Sequence, residues 1–236
     1  MPFSVGAPAN PSRMTMSEHR VNTERELSAL NSDGVGIRVR FDWLGDRYGH
    51  QIEAVDGHFS RKVLESVEGG QEANWPQSPP LQNVNVSWIT SDTQHGHVAM
   101  LVGGTGNSHW SMCVSVRDGN KDVFDNTSGT ELFFDVACRV HDAPEFLGST
   151  YRVPFQQVVV SDSLNCAFVP PDGPGLVFVP QDAALEVKDR HTQSPILRCK
   201  ATDIRFAGLP ATFRWRYAIR RSTGGPLRIA VKKRSK

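Results

Sequence analysis

The chain has 236 residues, of which 39% are hydrophobic and 22% are charged, with 26 basic and 25 acidic side chains. A globular protein of this length buries most of its apolar surface without the help of disulfide bonds or structural metal ions. No apolar run approaches the roughly 20 residues of a membrane-spanning helix, and the opening MPFSVGAPANPSR has no secretory apolar core. The composition therefore favours a soluble protein over a membrane-spanning or exported one.

Cysteine usage favours a reducing compartment. The four cysteines are widely spaced and form no C-x-x-C pair: Cys113, Cys138, Cys166 and Cys199. His95 and His97 offer two imidazoles without an identified third metal ligand. We therefore predict a cytoplasmic protein with no metal, no cofactor and no disulfide framework.

The N-terminal segment, residues 1–33, is predicted to be flexible. Prolines interrupt its first part, and Met14 or Met16 is an alternative translation start. The later stretch SEHRVNTERELSAL forms at most a loose helix capped by Ser17, because its apolar face is thin.

A single ordered domain is predicted over residues 34–221, and it begins with three strands. Apolar and polar residues alternate over 37–43, and 48–55 returns as a second strand. Asp56-Gly57 is a hairpin signal. Residues 59–67 form a third strand or open a helix, since their apolar positions fit both periods.

Residues 68–83 are predicted to form an irregular loop stiffened by prolines, with Trp75 as the tryptophan best placed for ligand contact. Strands over 84–89 and 97–102 follow. Three other tryptophans occupy alternating apolar positions and are predicted to lie in the core: Trp43, Trp110 and Trp215.

The stretch from 97 to 140 is predicted to be a β-hairpin around which the chain is organised. One face is apolar, with Trp110, Met112, Val114 and Val116 on one arm and Leu132, Phe134, Val136, Cys138 and Val140 on the other. The opposite face carries His109, Ser111 and Cys113, and then Asp135 and Arg139. Only every second register keeps the apolar sets together. In one, Ser111 faces Asp135; in the next, His109 faces Arg139 and Cys113 faces Asp135.

The second half of the chain is predicted to be equally rich in short strands. They are expected at 151–160, 167–169, 176–179, 185–188, 196–204 and 212–220. Ten or more short strands with little helix predict an all-β fold, a mostly antiparallel two-sheet β-sandwich.

The C-terminal end is strongly basic. Residues 213–236 hold nine Arg or Lys and no acidic residue, which leaves a formal charge of −8 on the first 212 residues. The cations that we consider for nucleic-acid binding lie on one strand face and in a flexible tail over 222–236: Arg214, Arg216, Arg220, Lys232, Lys233 and Arg234. A solvated strand face with a tail that contacts the acidic body is the favoured interpretation.

The chain contains residue types that are found in several kinds of catalytic site, but it lacks the sequence motifs that identify those sites. The glycine run 103–107 lacks the Lys-Ser/Thr of a P-loop and predicts a hairpin turn. His109, Ser111 and Asp135 lack the G-x-S-x-G elbow of an exposed nucleophile. Glycoside chemistry needs two carboxylates about 5–10 Å apart. The candidates for such a pair are Asp42, Glu65, Glu68 and Asp135.

Several stretches resemble segments of uncharacterised bacterial proteins of β-sandwich type: WPQSPPLQ (75–82), GNSHWSMCVSV (106–116), FDVACRV (134–140), LGSTYRV (147–153) and RWRYAI (214–219). The resemblance covers residues 37–220 and implies no catalytic residue or ligand. The strand-rich plan is also similar to the supersandwich of sugar-mutarotase-like proteins, as an analogy of architecture alone.

We expect a binding or accessory protein that contacts a carbohydrate or protein partner, and no membrane. Its expected site is a polar and aromatic surface made by Trp75, His109, Ser111, Asp135 and Arg139. A carbohydrate-active enzyme, hydrolase or epimerase-like, is the alternative. Nucleic-acid binding through the basic end is the second alternative.

Overall fold

The computed structural model describes residues 25–70, 73–90, 95–118, 130–154, 158–160, 166–168, 175–189, 194–202, 204 and 208–221. These ranges contain strands and turns and no helix. In chain order the strands are β1 (Glu26–Leu30), β2 (Val35–Trp43), β3 (Tyr48–Asp56), β4 (Phe59–Ser66), β5 (Leu81–Thr90), β6 (His95–Thr105), β7 (Ser108–Asp118), β8 (Thr130–Val140), β9 (Gly148–Arg152), β10 (Val158–Val160), β11 (Cys166–Phe168), β12 (Leu176–Pro180), β13 (Ala183–Lys188), β14 (Ile196–Ala201) and β15 (Ala211–Arg221).

All fifteen strands join one antiparallel sheet. Its hydrogen-bonded order is β10-β11-β12-β15-β8-β7-β6-β5-β3-β4-β9-β14-β13, with β2 and then β1 branching from β3. The sheet curls on itself, because β13 and β14 at one end of this path contact β15 near the other. The all-β, antiparallel prediction is confirmed. The two-sheet sandwich and the supersandwich are not confirmed, since the sheet is continuous, nearly closed and barrel-like.

The centre of the sheet is a three-stranded meander rather than a single hairpin. β6 turns into β7 at Gly106 and Asn107, and Gly106 has a φ of +52°. β7 then pairs with β8, with His109 opposite Arg139 and Cys113 opposite Asp135. The second of the two predicted registers is therefore the one that forms. It keeps the predicted apolar positions of β7 and β8 on the core side, where all except the half-buried Val116 are at most 2% exposed.

The start of the chain differs from the prediction. Glu26–Leu30, expected in a flexible or loosely helical segment, is strand β1 and pairs with β2. Leu27 and Ala29 are buried in the core, and that burial stabilises the strand. Gly36 on β2 makes the pairing close, because a Cβ there would lie 2.0 Å from the carbonyl oxygen of Ala29.

The other predicted strands form with small changes in their ends. Residues 59–66 are a strand and not a helix, and 151–160 divides into β9 and β10. Trp43 is a correction: it is 46% exposed and packs edge-on against Tyr48 at a centroid distance of 4.9 Å, because β2 runs past the end of the core. The described part of the chain has no helix with the length and apolarity to cross a membrane.

Candidate functional site

The predicted surface site lies on the outer face of the central meander, but its members do not converge. Ser111 pairs with Ala137, so the residue types of a hydrolytic triad are not brought together. His109 lies opposite Arg139, and its ring is 6.3 Å from that of His141. Asp135 instead binds Arg214 through two hydrogen bonds. This face is a solvated polar surface with ion pairs.

The basic face of β15 is largely engaged in the same way. Arg214 binds Asp135, and the Arg216 side chain donates to Asp182, with an Nε–Oδ2 distance of 2.7 Å. Arg220 is half-buried. The predicted tail residues Lys232, Lys233 and Arg234 lie outside the described residues. The carboxylate partners of Arg214 and Arg216 compete with phosphate for these two side chains.

Trp75 is half-buried against the core and is less available than predicted. Its loop is fixed to β9, because the Ser78 hydroxyl accepts a hydrogen bond from the Thr150 amide and donates one to the Thr150 carbonyl, both at 3.1 Å. The most exposed tryptophan among the described residues is Trp88 on β5, with 62% of its surface exposed.

A line of hydrogen-bonded side chains crosses the core. His50 Nε2 lies 2.8 Å from the Tyr151 hydroxyl, and that hydroxyl lies 2.6 Å from the Tyr217 hydroxyl. Alongside it, the Trp215 indole N–H donates to the Ser149 hydroxyl at 3.1 Å. These groups come from β3, β9 and β15, whose core-facing positions meet inside the sheet. Buried polar groups require such partners.

The line is electrically neutral near pH 7. Burial lowers the pKa of His50 to about 4, so its imidazole carries no charge. Burial raises the pKa of Tyr151 and of Tyr217 well above the ordinary value of a tyrosine. None of the three groups titrates near neutrality, which indicates a structural role rather than acid–base chemistry.

A second polar cluster lies where the β2–β3 turn meets the end of β4. The Arg47 guanidinium is buried and donates to one Asp46 carboxylate oxygen from Nε at 2.9 Å and from Nη2 at 2.6 Å. The Ser66 hydroxyl accepts a hydrogen bond from the His50 amide at 2.7 Å and donates to Glu68 Oε1 at 2.5 Å. The cluster therefore joins a cation and two carboxylates beside the buried line.

Two atoms of this cluster are buried without a hydrogen-bond partner: Arg47 Nη1 and Glu68 Oε2. One is a donor and the other an acceptor, and the Arg47 charge acts directly on the Glu68 carboxyl. An unpaired buried polar atom costs about 1–3 kcal/mol, and more for a charged group. Natural proteins tolerate such atoms where water, an ion or a ligand supplies the missing contact.

The two carboxylates have opposite electrostatic environments. Burial raises the pKa of Glu68 to about 7, although the hydrogen bond from Ser66 and the nearby Arg47 act against it. The residue as a whole is half-buried, but Oε2 has almost no contact with solvent. The hydrogen bonds from Arg47 hold the pKa of Asp46 below its ordinary value. Carboxyl groups with separated pKa values are typical of acid–base sites.

Exposed apolar groups lie next to the cluster. Leu44 is 55% exposed, and its side chain and the Ser66 hydroxyl both approach Gly49, where a Cβ would meet Leu44 Cδ1 at 2.8 Å. Trp43, the last residue of β2, precedes Leu44 and is also exposed. Apolar and polar surfaces thus meet where β2 and β4 end and β3 begins, as in small-molecule sites. We call Asp46, Arg47, Ser66 and Glu68 with Leu44 the turn site.

Sequence reasoning found only one member of the turn site. Glu68 is one of the four carboxylates considered for a catalytic pair, whereas Arg47 belongs to no catalytic pattern in the sequence and lies in the turn between β2 and β3. Glu65, another of the four, pairs with Lys62 on the surface at 3.2 Å. Asp135 lies on β8, far along the sheet path from β4. No group of three His, Cys, Asp or Glu that could hold a metal occurs in the described ranges.

Comparison of the chain with protein-family models, with curated proteins and with solved structures gives no match.

Proposed function

We propose that this protein binds a small polyhydroxy compound, of the sugar or polyol class, at the turn site. The proposal keeps the class of function expected from the sequence, a binding protein, and moves its site from the outer face of the meander. The observation that carries it is the pair of buried, unpartnered atoms, Arg47 Nη1 and Glu68 Oε2.

The charges of the turn site favour an uncharged ligand. Asp46 already balances the Arg47 guanidinium through two hydrogen bonds. Arg47 Nη1 is therefore an oriented donor with little net positive charge to attract an anion. Near pH 7 Glu68 is present both as carboxylate and as acid, so it accepts or donates a hydrogen bond. Neighbouring hydroxyl groups can satisfy both atoms, since each hydroxyl donates and accepts.

The apolar residues beside the turn site suit the same class. The C–H face of a sugar ring is apolar, and Leu44 and Trp43 offer exposed apolar side chains that such a face can contact. A phosphate or nucleotide would bring negative charge next to Asp46 and Glu68, which disfavours it.

Thermal stabilisation by ligands tests this proposal. Monosaccharides and polyols are screened against inorganic phosphate and nucleotides. A polyhydroxy ligand at 100 times its Kd stabilises by about 2.7 kcal/mol, or about 5–10 °C for a chain of this size. The R47M and E68M variants, which replace each unpartnered polar group by an apolar side chain, should lose most of this shift. E65Q, which changes a carboxylate paired with Lys62 on the surface, should keep it.

Two outcomes would contradict the proposal. One is a screen in which no polyhydroxy compound raises the melting temperature of the wild-type chain. The other is a shift that R47M and E68M retain in full, since the ligand would then bind elsewhere.

A second candidate function follows from the separated carboxyl pKa values of the turn site. Glu68 titrates near 7, where a general acid or base works best, and Asp46 stays ionised beside it. This supports a carbohydrate-active enzyme, a hydrolase or an epimerase-like catalyst. Turnover of aryl glycosides or acceleration of sugar mutarotation, lost in E68Q and kept in E65Q, would favour the enzyme. Binding without turnover leaves the binding function.

A further inference from the structure

One edge of β5 has no strand partner along most of its length. β5 pairs with β6 over Leu81–Thr90, but on its other edge it meets only Tyr48 of β3, opposite Leu81. Tyr48 is the first residue of β3 and Leu81 is the first residue of β5. Because the two strands are antiparallel, the rest of β5 extends beyond the start of β3 and past the β2–β3 turn. Among the described strands, none covers the edge from Gln82 to Thr90. Its outward N–H and C=O groups are a template for another strand.

This edge lacks the features that prevent pairing between molecules. Edge strands of monomeric proteins are usually short or carry charges, prolines or bulges. β5 has ten residues, LQNVNVSWIT, without Asp, Glu, Lys, Arg or Pro. Its only irregularity is at its start, between Leu81 and Asn83. An uncharged edge is compatible with an identical uncharged edge.

We propose that β5 pairs antiparallel with β5 of a second copy of this chain, which extends the sheet across a two-fold axis. The core-facing sides of the two copies lie on the same side of the combined sheet only if even-numbered residues of one β5 pair with even-numbered residues of the other. The register that pairs the whole edge places Val86 opposite Val86, Gln82 opposite Thr90 and Asn85 opposite Ser87. Such an isologous contact closes on itself and forms a dimer.

This register gives a reason for the exposure of Trp88 in the single chain. Val84, Val86 and Trp88 share one face of β5, and the two valines are half-buried against the core. Trp88 is 62% exposed, with its ring against His97 at a centroid distance of 4.9 Å and its N–H bonded to Thr90. In the dimer each Trp88 lies opposite Val84 of the other copy. The exposed indole then covers apolar surface that is only half-buried in one chain.

A pair of double variants tests both the edge and the register. N85K/S87K places cations opposite cations across the two-fold axis, and like charges opposite each other destabilise strand pairing. N85K/S87E changes the same two positions but places a cation opposite an anion. Asn85 is exposed and Ser87 is half-buried on the outer face, so neither change enters the core. M100K replaces a residue of β6 that is 51% exposed and lies opposite Asn85, one strand in from the free edge, and is the control.

Sedimentation velocity of the full chain over a concentration series measures the dissociation constant. We expect a dimer for the wild type, a dissociation constant about tenfold higher for N85K/S87K, and values near the wild type for N85K/S87E and M100K. Circular dichroism and melting temperature check that all variants fold. A wild type that stays monomeric at every concentration overturns the proposal. So does a dimer that N85K/S87K leaves intact, or one that both double variants weaken equally.

Discussion

The pH dependence of stability offers a direct test of the burial of Glu68. Its pKa is about 7 in the folded chain, against an ordinary value of 4.5. Between these two pH values the folded state binds more protons than the unfolded state, so stability falls as pH rises through the window. Above pH 7 the buried carboxylate is charged in both states, and its burial costs about 3 kcal/mol.

The E68Q variant removes this cost and keeps the shape of the side chain. We expect it to be more stable than the wild type by up to about 3 kcal/mol at pH 8, or about 6–12 °C in melting temperature. At pH 4 the two proteins should be almost equally stable, because Glu68 is then mostly protonated in both states. Glu65, whose side chain is 38% exposed beside Lys62, provides the E65Q control, which should match the wild type at every pH.

His50 has the opposite dependence in an overlapping window. Its pKa falls from an ordinary 6.5 to about 4 on folding. The folded state therefore binds fewer protons, and its stability is lost as pH drops from 6.5 through 4. In the wild type the two slopes oppose each other between pH 4.5 and 6.5. E68Q lacks the Glu68 contribution and keeps that of His50. Its free energy of unfolding should therefore fall steadily as the pH is lowered from 6.5 to 4.

Guanidinium unfolding at closely spaced pH values measures these differences, since the free energy follows from each midpoint and slope. A difference between E68Q and the wild type that stays constant from pH 4 to 8 would show that the Glu68 carboxyl is solvated. The turn site would then lack the buried carboxyl group that its proposed preference for an uncharged ligand requires.

Three further predictions concern single contacts. Y151F leaves the ring nitrogen of His50 buried and unpaired, and should lower the free energy of unfolding by about 1–3 kcal/mol; an unchanged value in guanidinium would contradict the buried line. D135N removes a pair with the exposed Arg214 and should cost less than about 1 kcal/mol, an effect that 1 M salt should abolish in thermal unfolding. G36A forces a Cβ against β1 and should destabilise by about 1–3 kcal/mol; hydrogen exchange should quicken first in β1, and full protection there would refute the close pairing.

Most strands of this fold could be predicted from the period-two pattern of apolar residues. The pattern succeeded in β7 and β8 because each is half-buried, so that every second side chain meets the core. It failed for β1, where Leu27 and Ala29 give too short an alternation to compete with a helix prediction. It also misplaced Trp43, because alternation shows which face a residue occupies and not where the core ends.

Sheet closure and the candidate site depended on information that the pattern does not hold. Whether strands form two sheets or one is decided by a few pairings, such as Tyr48 with Leu81, that join distant parts of the chain. The pattern identified the outer face of the meander, but the partner of Asp135 on that face comes from β15. Asp135 was therefore available to Arg214 and not to Ser111.

The raised pKa of Glu68 depends on the hydrogen bonds that hold the loop after β4 against β9. The loop after β4 is fixed at one end by the Val67 amide, which donates to the Thr150 carbonyl at 2.8 Å. Farther along, Ser78 binds the amide and carbonyl of the same residue. Thr150 lies on β9, remote from both in sequence, so no local pattern predicts the contact. Because the loop is held against β9 on both sides of Glu68, the carboxyl is kept near Tyr151 and away from water, and burial raises its pKa.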